Sequence, residues 1–279
     1  MFPILYDLHC HSLRSDGALS PQALVELAAE QGVSHLALTD HDTLAGVAEA
    51  RQAALTTGID LINGVEFSCQ WQNRGIHVVG LNFDLTDSAL LAAIGRMATI
   101  RQQRSEQIAE RLGKLGFPGC LQGAQRYANG AVVGRPHFAQ YLIELGVVKD
   151  FNQAFKRYLG NGKAGDVRHQ WPELAEVVGW IVAAGGVAVI AHPLKYDLTR
   201  TKLVALLSSF LEAGGKALEV ISGSDQSPDQ TRNLAALAGK MGLYASVGSD
   251  FHSPGMPWQM LGRTGQLPDT IAPVWQCWS

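Results

Sequence analysis

The sequence predicts a parallel α/β fold split by a helical insert, and three observations point to it. Short apolar runs alternate with helical segments at both ends of the 279-residue chain. After Asp87 the alternation stops, and only helical spacing follows until Val187. Most of the apolar runs end in a histidine or a carboxylate, as in parallel sheets and barrels that gather polar side chains on one face. At roughly 150 residues per domain, the length suits one large domain or one with an insert.

Ile4 to Leu8 is the first apolar run. Ser20 suits an N-cap and Pro21 the first helical position, so a helix is expected to reach about Glu30 and stop at Gly32. His35 to Thr39 is the second strand. Thr43 to Thr57 is rich in alanine and closed by Gly58, which predicts a helix with Asp42 as its cap. Leu61 to Phe67 and Ile76 to Phe83 read as strands flanking a polar Gln72-Asn73-Arg74-Gly75 turn. Ser88 to Leu115 keeps helical spacing far beyond an average helix, and shorter helical patterns follow at Ala139 to Leu145 and Asn152 to Leu159. Alternation then resumes: helix Pro172 to Ala184, strand Val187 to Ala191, helix Thr201 to Ala213, strand Ala217 to Ile221, helix Pro228 to Met241, strand Tyr244 to Gly248. The expected division is one α/β unit from residues 1–99 and 166–279, with residues 100–165 as a helical insert capping the active site.

Composition narrows the function. With 47% hydrophobic and 17% charged residues the chain is neither disordered nor low in complexity. Its longest apolar stretch, Val177 to Ala191, is shorter than the roughly 18 residues of a membrane span, and Gly185-Gly186 interrupts it. The first residues have no basic segment and do not read as a secretory signal. Cys10, Cys69, Cys120 and Cys277 are far apart, as expected of reduced, buried thiols in a cytoplasmic protein. The 22 Lys and Arg are dispersed among 25 acids, net charge −3, which argues against a duplex nucleic acid partner. A nucleotide or short oligonucleotide needs only a few local cations and is allowed.

The strand ends hold the chemistry. The first strand runs into Asp7-Leu8-His9-Cys10-His11, the second into Asp40-His41-Asp42, the third into Glu66, the fifth into His192, and the last into Asp250-Phe251-His252. Each alone reads as a cap or a satisfied polar group. Together they converge, and the alternate spacing of His9 with His11 and of Asp250 with His252 points each pair to one side, as ligands of one ion require. Imidazole with carboxylate suits zinc, manganese or iron. His77 joins only if its strand runs antiparallel to the others or is short. His35 opens its strand at the far end, and His169 sits in a polar segment; both read as structural or exposed. Asp16, in Arg14-Ser15-Asp16-Gly17, fits a turn as well as a site. No G-x-S-x-G stands in the chain, which disfavours acyl-transfer chemistry.

His9-x-His11, Asp16-Gly17, Thr39-Asp40-His41-Asp42, Glu66, Ala191-His192-Pro193 and Gly248-Ser249-Asp250-Phe251-His252, taken in order, resemble the PHP (polymerase and histidinol phosphatase) family over nearly the whole chain. The resemblance implies a distorted (β/α)7 barrel, two or three divalent ions and hydrolysis of phosphate esters. It implies His9, His11, Glu66 and Asp250 for a first ion, Asp16, His41 and His252 for a second, and Glu66, His77 and His192 for a third. Many relatives carry histidine where Asp16 stands, so manganese is expected over zinc or iron.

Within the family the chain resembles the 3',5'-nucleoside bisphosphate phosphatases and 5'-3' oligoribonucleases. Arg101-x-x-Arg104 and Gly134-Arg135-Pro136-His137 carry that likeness, with Lys163 and Lys195 as weaker candidates for phosphate contact. Helical spacing puts Arg101 and Arg104 on one face, where they grip a phosphate or, alternatively, stay solvated. Arg135 and His137 are expected to bind substrate, with capping as the plain alternative. The expected reaction removes the 3'-phosphate of a nucleoside 3',5'-bisphosphate through a metal-bound hydroxide, with Asp40, His41, Asp250 and His252 as catalytic candidates. Rival readings are a 5'-3' exoribonuclease on short RNA, another small-molecule phosphatase such as one for histidinol phosphate, and a non-catalytic module with a decayed centre. The oligomeric state is open.

Overall fold

The computed structural model describes residues 4–167 and 171–278, so His169 lies outside the described residues. Seven strands follow one another in a single sheet: β1 Tyr6–Cys10, β2 His35–Leu38, β3 Asp60–Trp71, β4 Arg74–Leu81, β5 Val187–Ile190, β6 Ala217–Ser222 and β7 Tyr244–Gly248. Beyond the ends of β7 and β1, the amide of His11 donates to the carbonyl of Phe251 (2.9 Å) and that of Asp250 to the carbonyl of His9 (2.8 Å). The sheet is thereby a nearly closed barrel. Asp7 pins the same seam, accepting from the amides of Ser249 (2.9 Å) and Gly262 (3.0 Å).

The barrel is not uniformly parallel. β4 runs antiparallel to both β3 and β5, and all other neighbours are parallel. The β3–β4 turn is only Gln72-Asn73, both with positive φ (48° and 61°), so the ladder continues through Arg74 and Gly75 where the sequence suggests loop. Reversal of β4 brings its first residues to the carboxyl end of its neighbours. His77 consequently lies on the polar face.

Helices α1 Pro21–Glu30, α2 Val47–Thr57, α7 Leu174–Ala183, α8 Arg200–Glu212 and α9 Pro228–Lys240 connect the strands, with α3 Ser88–Lys114, α4 Cys120–Ala128, α5 Arg135–Glu144 and α6 Phe151–Ala154 between β4 and α7. Ser20 caps α1 by accepting from the amide of Ala23, with Pro21 in the first turn. α2 starts four residues later than expected, with Gly46 at its cap, because the Asp42 carboxylate is engaged elsewhere. The predicted helix over Asn152–Leu159 is α6 continued by a π turn, Phe155–Leu159.

The 27-residue helix α3 joins two cores. Leu90, Met97 and Ile100 belong to the cluster formed by the barrel with α7 and α8; Ile108 and Leu112 belong to a second cluster with Phe138, Leu142 and Leu159. The boundary expected at 99/100 therefore falls inside a continuous helix. Leu8, Ala37, Ile62, Val79, Val189 and Ala217, drawn from six strands, form a further apolar cluster. No described helix is long and apolar enough to cross a membrane. Cys10, Cys69 and Cys120 are buried and all four described cysteines are free.

Candidate metal centre

β1 delivers His9 and His11 to the barrel mouth, and both are fully buried. Glu66 on β3 reaches the middle of the group. Its Oε1 lies 2.9 Å from His77 Nδ1 and 3.0 Å from His192 Nε2, and its Oε2 lies 3.3 Å from both His9 Nε2 and His11 Nε2 and 3.0 Å from His41 Nδ1. Asp250 Oδ1 faces His11 Nε2 at 3.3 Å and His9 Nε2 at 3.5 Å. Asp16 faces His252 at 3.5 Å, His41 at 3.8 Å and His11 at 4.0 Å. All nine residues expected at the metal centre are brought together.

Their chemistry fits divalent ions. His9 Nε2, both nitrogens of His11, Asp16 Oδ1, His41 Nδ1, Glu66 Oε2 and His192 Nδ1 are buried and make no hydrogen bond, a costly arrangement unless something else engages them. Four overlapping groups have donor atoms within 4.8 Å of one another: His11-Asp16-His41-His252, His9-Glu66-His192, His9-His11-Asp250 and His41-Glu66-His77. His77 and His192 share one Glu66 oxygen. Cys10, between His9 and His11, turns its thiol to the carbonyl of Ala37 and offers no ligand.

Electrostatics and strain mark the same place. Burial works against the charge of Glu66, but the imidazoles of His41, His77 and His9 outweigh it and hold the carboxyl well below its usual range. Asp250 is held down in the same sense, against burial, by Lys195 and His9. Burial drives His41 down to about 4, whereas Asp250 and Glu66 overcome burial at His11 and raise it to about 10. Asp42, His192 and Asp250, each just past a strand end, all have positive φ (55°, 29° and 52°). Such backbone costs on the order of 1–3 kcal/mol per residue and clusters at functional sites.

A cleft of about 670 Å³ opens over the cluster, lined by Asp16, His41, His77 and His192 together with Arg101, Arg104, Arg135 and Trp171. Arg101 is tied to Asp42, its Nε donating to Oδ2 at 2.6 Å, and to Ser68 Oγ at 3.0 Å. Arg104 donates to the carbonyl of Val167 (3.0 Å), and both guanidiniums stack on Trp171, at 5.2 and 5.3 Å from its centroid. Burial and the like charges of Arg135 and Arg101 lower Arg104 to about 9, still protonated at neutral pH. A cluster of cations that repel one another along one cleft is suited to an anion.

Two expectations need correction. Asp40 is no proton donor at the cleft: it is buried, and its oxygens accept from the Ser12 amide (2.8 Å), Ser12 Oγ (2.6 Å) and Ser15 Oγ (2.6 Å). It holds the loop that presents Asp16. Asp42 caps no helix; it accepts from the Ser68 amide (2.7 Å) and anchors Arg101. His137 is also taken up, its Nδ1 accepting from the Gly134 amide at the start of α5. Lys195 ion-pairs with Asp250, whose Oδ2 also accepts from Gln259 (3.1 Å). His35 is remote from the cluster, stacked on Tyr6 at 4.2 Å. Sequence reasoning missed Glu219, a buried acid within apolar β6, and Trp171.

The PHP domain pattern matches residues 7–159. A 5'-3' exoribonuclease of Haemophilus influenzae is 46% identical over 97% of this chain and 98% of its own. The chain belongs to the PHP domain family. A 3',5'-nucleoside bisphosphate phosphatase of Chromobacterium violaceum is 45% identical over 97% of this chain and 95% of its own, and the 5'-3' exoribonuclease Rnm of Escherichia coli 45% over 99% and 94%. Among solved structures, an amidohydrolase of C. violaceum with bound sulfate and no metal superposes with a TM-score of 0.90 at 44% identity, covering 97% of this chain and 94% of that one. A protein of Bifidobacterium adolescentis assigned as a metal-dependent phosphoesterase reaches 0.81 at 27% identity, covering 96% and 92%. The PHP fold accounts for the distorted barrel, with histidines and carboxylates from both ends of the chain at one mouth.

Proposed function

We propose that this PHP domain removes the 3'-phosphate from nucleoside 3',5'-bisphosphates, giving the 5'-monophosphate and phosphate. One observation carries the reading: Arg101, Arg104 and Arg135 line the same cleft as the imidazole–carboxylate cluster. His9, His11, Asp16, His41, Glu66, His77, His192, Asp250 and His252 would hold two or three divalent ions. Such ions, for which Asp16 favours manganese, would supply Lewis-acid charge and an activated water.

The residues of the chain then divide the substrate between them. Arg101, fixed by Asp42 and Ser68, and Arg104, fixed by Val167 and Trp171, present a preorganised cationic wall to the second phosphate. Arg135, with its Nη1 donating to the carbonyl of Leu159, lines the same wall. Binding energy from that remote phosphate raises turnover as well as affinity, because it orients the reacting ester. Residues 100–165 act as a cap that limits bulk water over the cluster. Of the catalytic candidates, His41 lines the cleft, while Asp250 and His252 would act within the cluster as ligands. The free buried thiols suit a cytoplasmic setting.

A second reading, hydrolysis of short RNA from its 5' end, places a diester where the 3'-phosphate would sit. It is supported by the exoribonuclease names of two relatives and by the length of the cleft, which extends from Asp16 to the hairpin at Gln72 and Asn73. With manganese added, adenosine 3',5'-bisphosphate should be hydrolysed far faster than 3'-AMP or 5'-AMP, and a panel that includes 5'-phosphorylated short RNAs ranks the two readings. No advantage of the bisphosphate over the monoesters would refute the two-phosphate reading. Arg135→Ala should lower kcat/KM for the bisphosphate by about tenfold or more. An equal loss on an aryl phosphate would remove the recognition role.

A further inference from the structure

Glu219 lies in the middle of β6, only 2% exposed, in a strand that is otherwise apolar until Ser222. A buried acid in such a strand needs partners, and it has two. Its Oε1 lies 3.0 Å from His9 Nδ1, and its Oε2 accepts from the backbone amide of His192. The carboxylate is an acceptor only, so it fixes the His9 proton on Nδ1 and leaves Nε2 to face Glu66 and Asp250. The second contact holds His192 in a backbone conformation, φ 29° and ψ 58°, that non-glycine residues rarely adopt. That conformation aims His192 Nε2 at Glu66 Oε1, 3.0 Å away.

From this geometry we infer that Glu219 is a positioning residue for the metal centre, setting His9 through its ring and His192 through its backbone. The inference rests on the reading of His9 and His192 as ligands. One carboxylate therefore couples β1, β5 and β6, and two of the four donor groups share its support through His9, one of them also through His192. Both donors converge on acceptor oxygens. Glutamine, the isosteric replacement, has one such oxygen, and its NH2 would meet either the His9 N–H or the His192 amide. Aspartate keeps two acceptors on a shorter arm.

Manganese uptake by chelator-treated protein, measured by competition with a chelating dye, tests this. Glu219→Gln should bind manganese about 10- to 100-fold more weakly than the natural protein, with Glu219→Asp in between. In manganese-saturated assays Glu219→Gln should lose kcat while KM for the bisphosphate changes less than about twofold, since the arginine wall is untouched. A folded Glu219→Gln that binds manganese as the natural protein does overturns the inference. If Glu219→Gln does not fold, Glu219→Asp decides: undiminished affinity overturns the inference, and reduced affinity with unchanged KM supports it. A natural protein that takes up no ion would instead overturn the metal-centre reading, and the inference with it.

Discussion

His11 and His41 lie with ring centroids 4.6 Å apart, yet their surroundings drive their protons in opposite directions. Without ions, burial lowers His11, but Asp250 and Glu66 win and hold it at about 10. Its charged form contributes stability that is complete below the ordinary value near 6.5 and lost as pH rises through about 10. Burial of His41 prevails and brings it to about 4, so its neutral form contributes stability that is present above about 6.5 and lost as pH falls through about 4. Glu66, Asp250 and Asp16, all held low, add to the loss on the acid side. Chelator-treated protein should therefore be most stable near pH 6.5. Ions that replace the His11 proton should remove the alkaline decline and release protons on binding. Melting temperatures from pH 4 to 10, with and without manganese, check this; ion-free protein as stable at pH 9 as at pH 6.5 would refute it.

At the scale of elements, β7 and β1 close the barrel through a gap that fits only glycine at 248. A Cβ on Gly248 would stand 2.3 Å from His9 Cβ and 2.7 Å from Glu219 Oε1. Gly248→Ala must push β1 outward, at a cost of about 1–3 kcal/mol on the pattern of overpacked cores, and should weaken manganese binding together with stability. Urea unfolding beside a metal titration measures both, and a neutral substitution would show that the seam yields freely. β7 itself was legible in the sequence to the residue, as was α1, because Ser20, Pro21 and the apolar spacing all act locally. α4 was not: it starts after Gly119, buries only Cys120, Gly123, Ala124 and Ala128, and packs where Gly123 meets Tyr141 of α5. The direction of β4 was equally hidden, because a strand pattern reads the same both ways, and with it the place of His77. Seven of the nine candidate ligands were visible because each stands at a strand end or pairs at alternate spacing; Asp16 and His77 came in only with the family resemblance. Glu219 has no such local signature; its partner His9 is 210 residues away.

At the scale of the molecule, α3 decides whether cap and barrel are one cooperative unit. Its first half is buried in the barrel core through Leu90, Met97 and Ile100, its second half in the cap core through Ile108 and Leu112, and Arg101 and Arg104 stand between. Helical hydrogen bonding transmits disorder along such an element, so the cap should not melt while the barrel stays native. Leu112 is fully buried, and Leu112→Ala should cost about 2–5 kcal/mol as a cavity in the cap. It should also raise KM for the bisphosphate if Arg101 and Arg104 face the second phosphate as proposed, because loosening the cap half of α3 would free them. The six tryptophans all lie outside residues 100–165, so their fluorescence follows the barrel, whereas far-ultraviolet circular dichroism follows every helix. In Leu112→Ala the two signals should shift together to lower urea and still coincide. If the dichroism fell first, the cap would be unfolding alone, and the arginine wall would belong to a separable unit rather than to the barrel it serves.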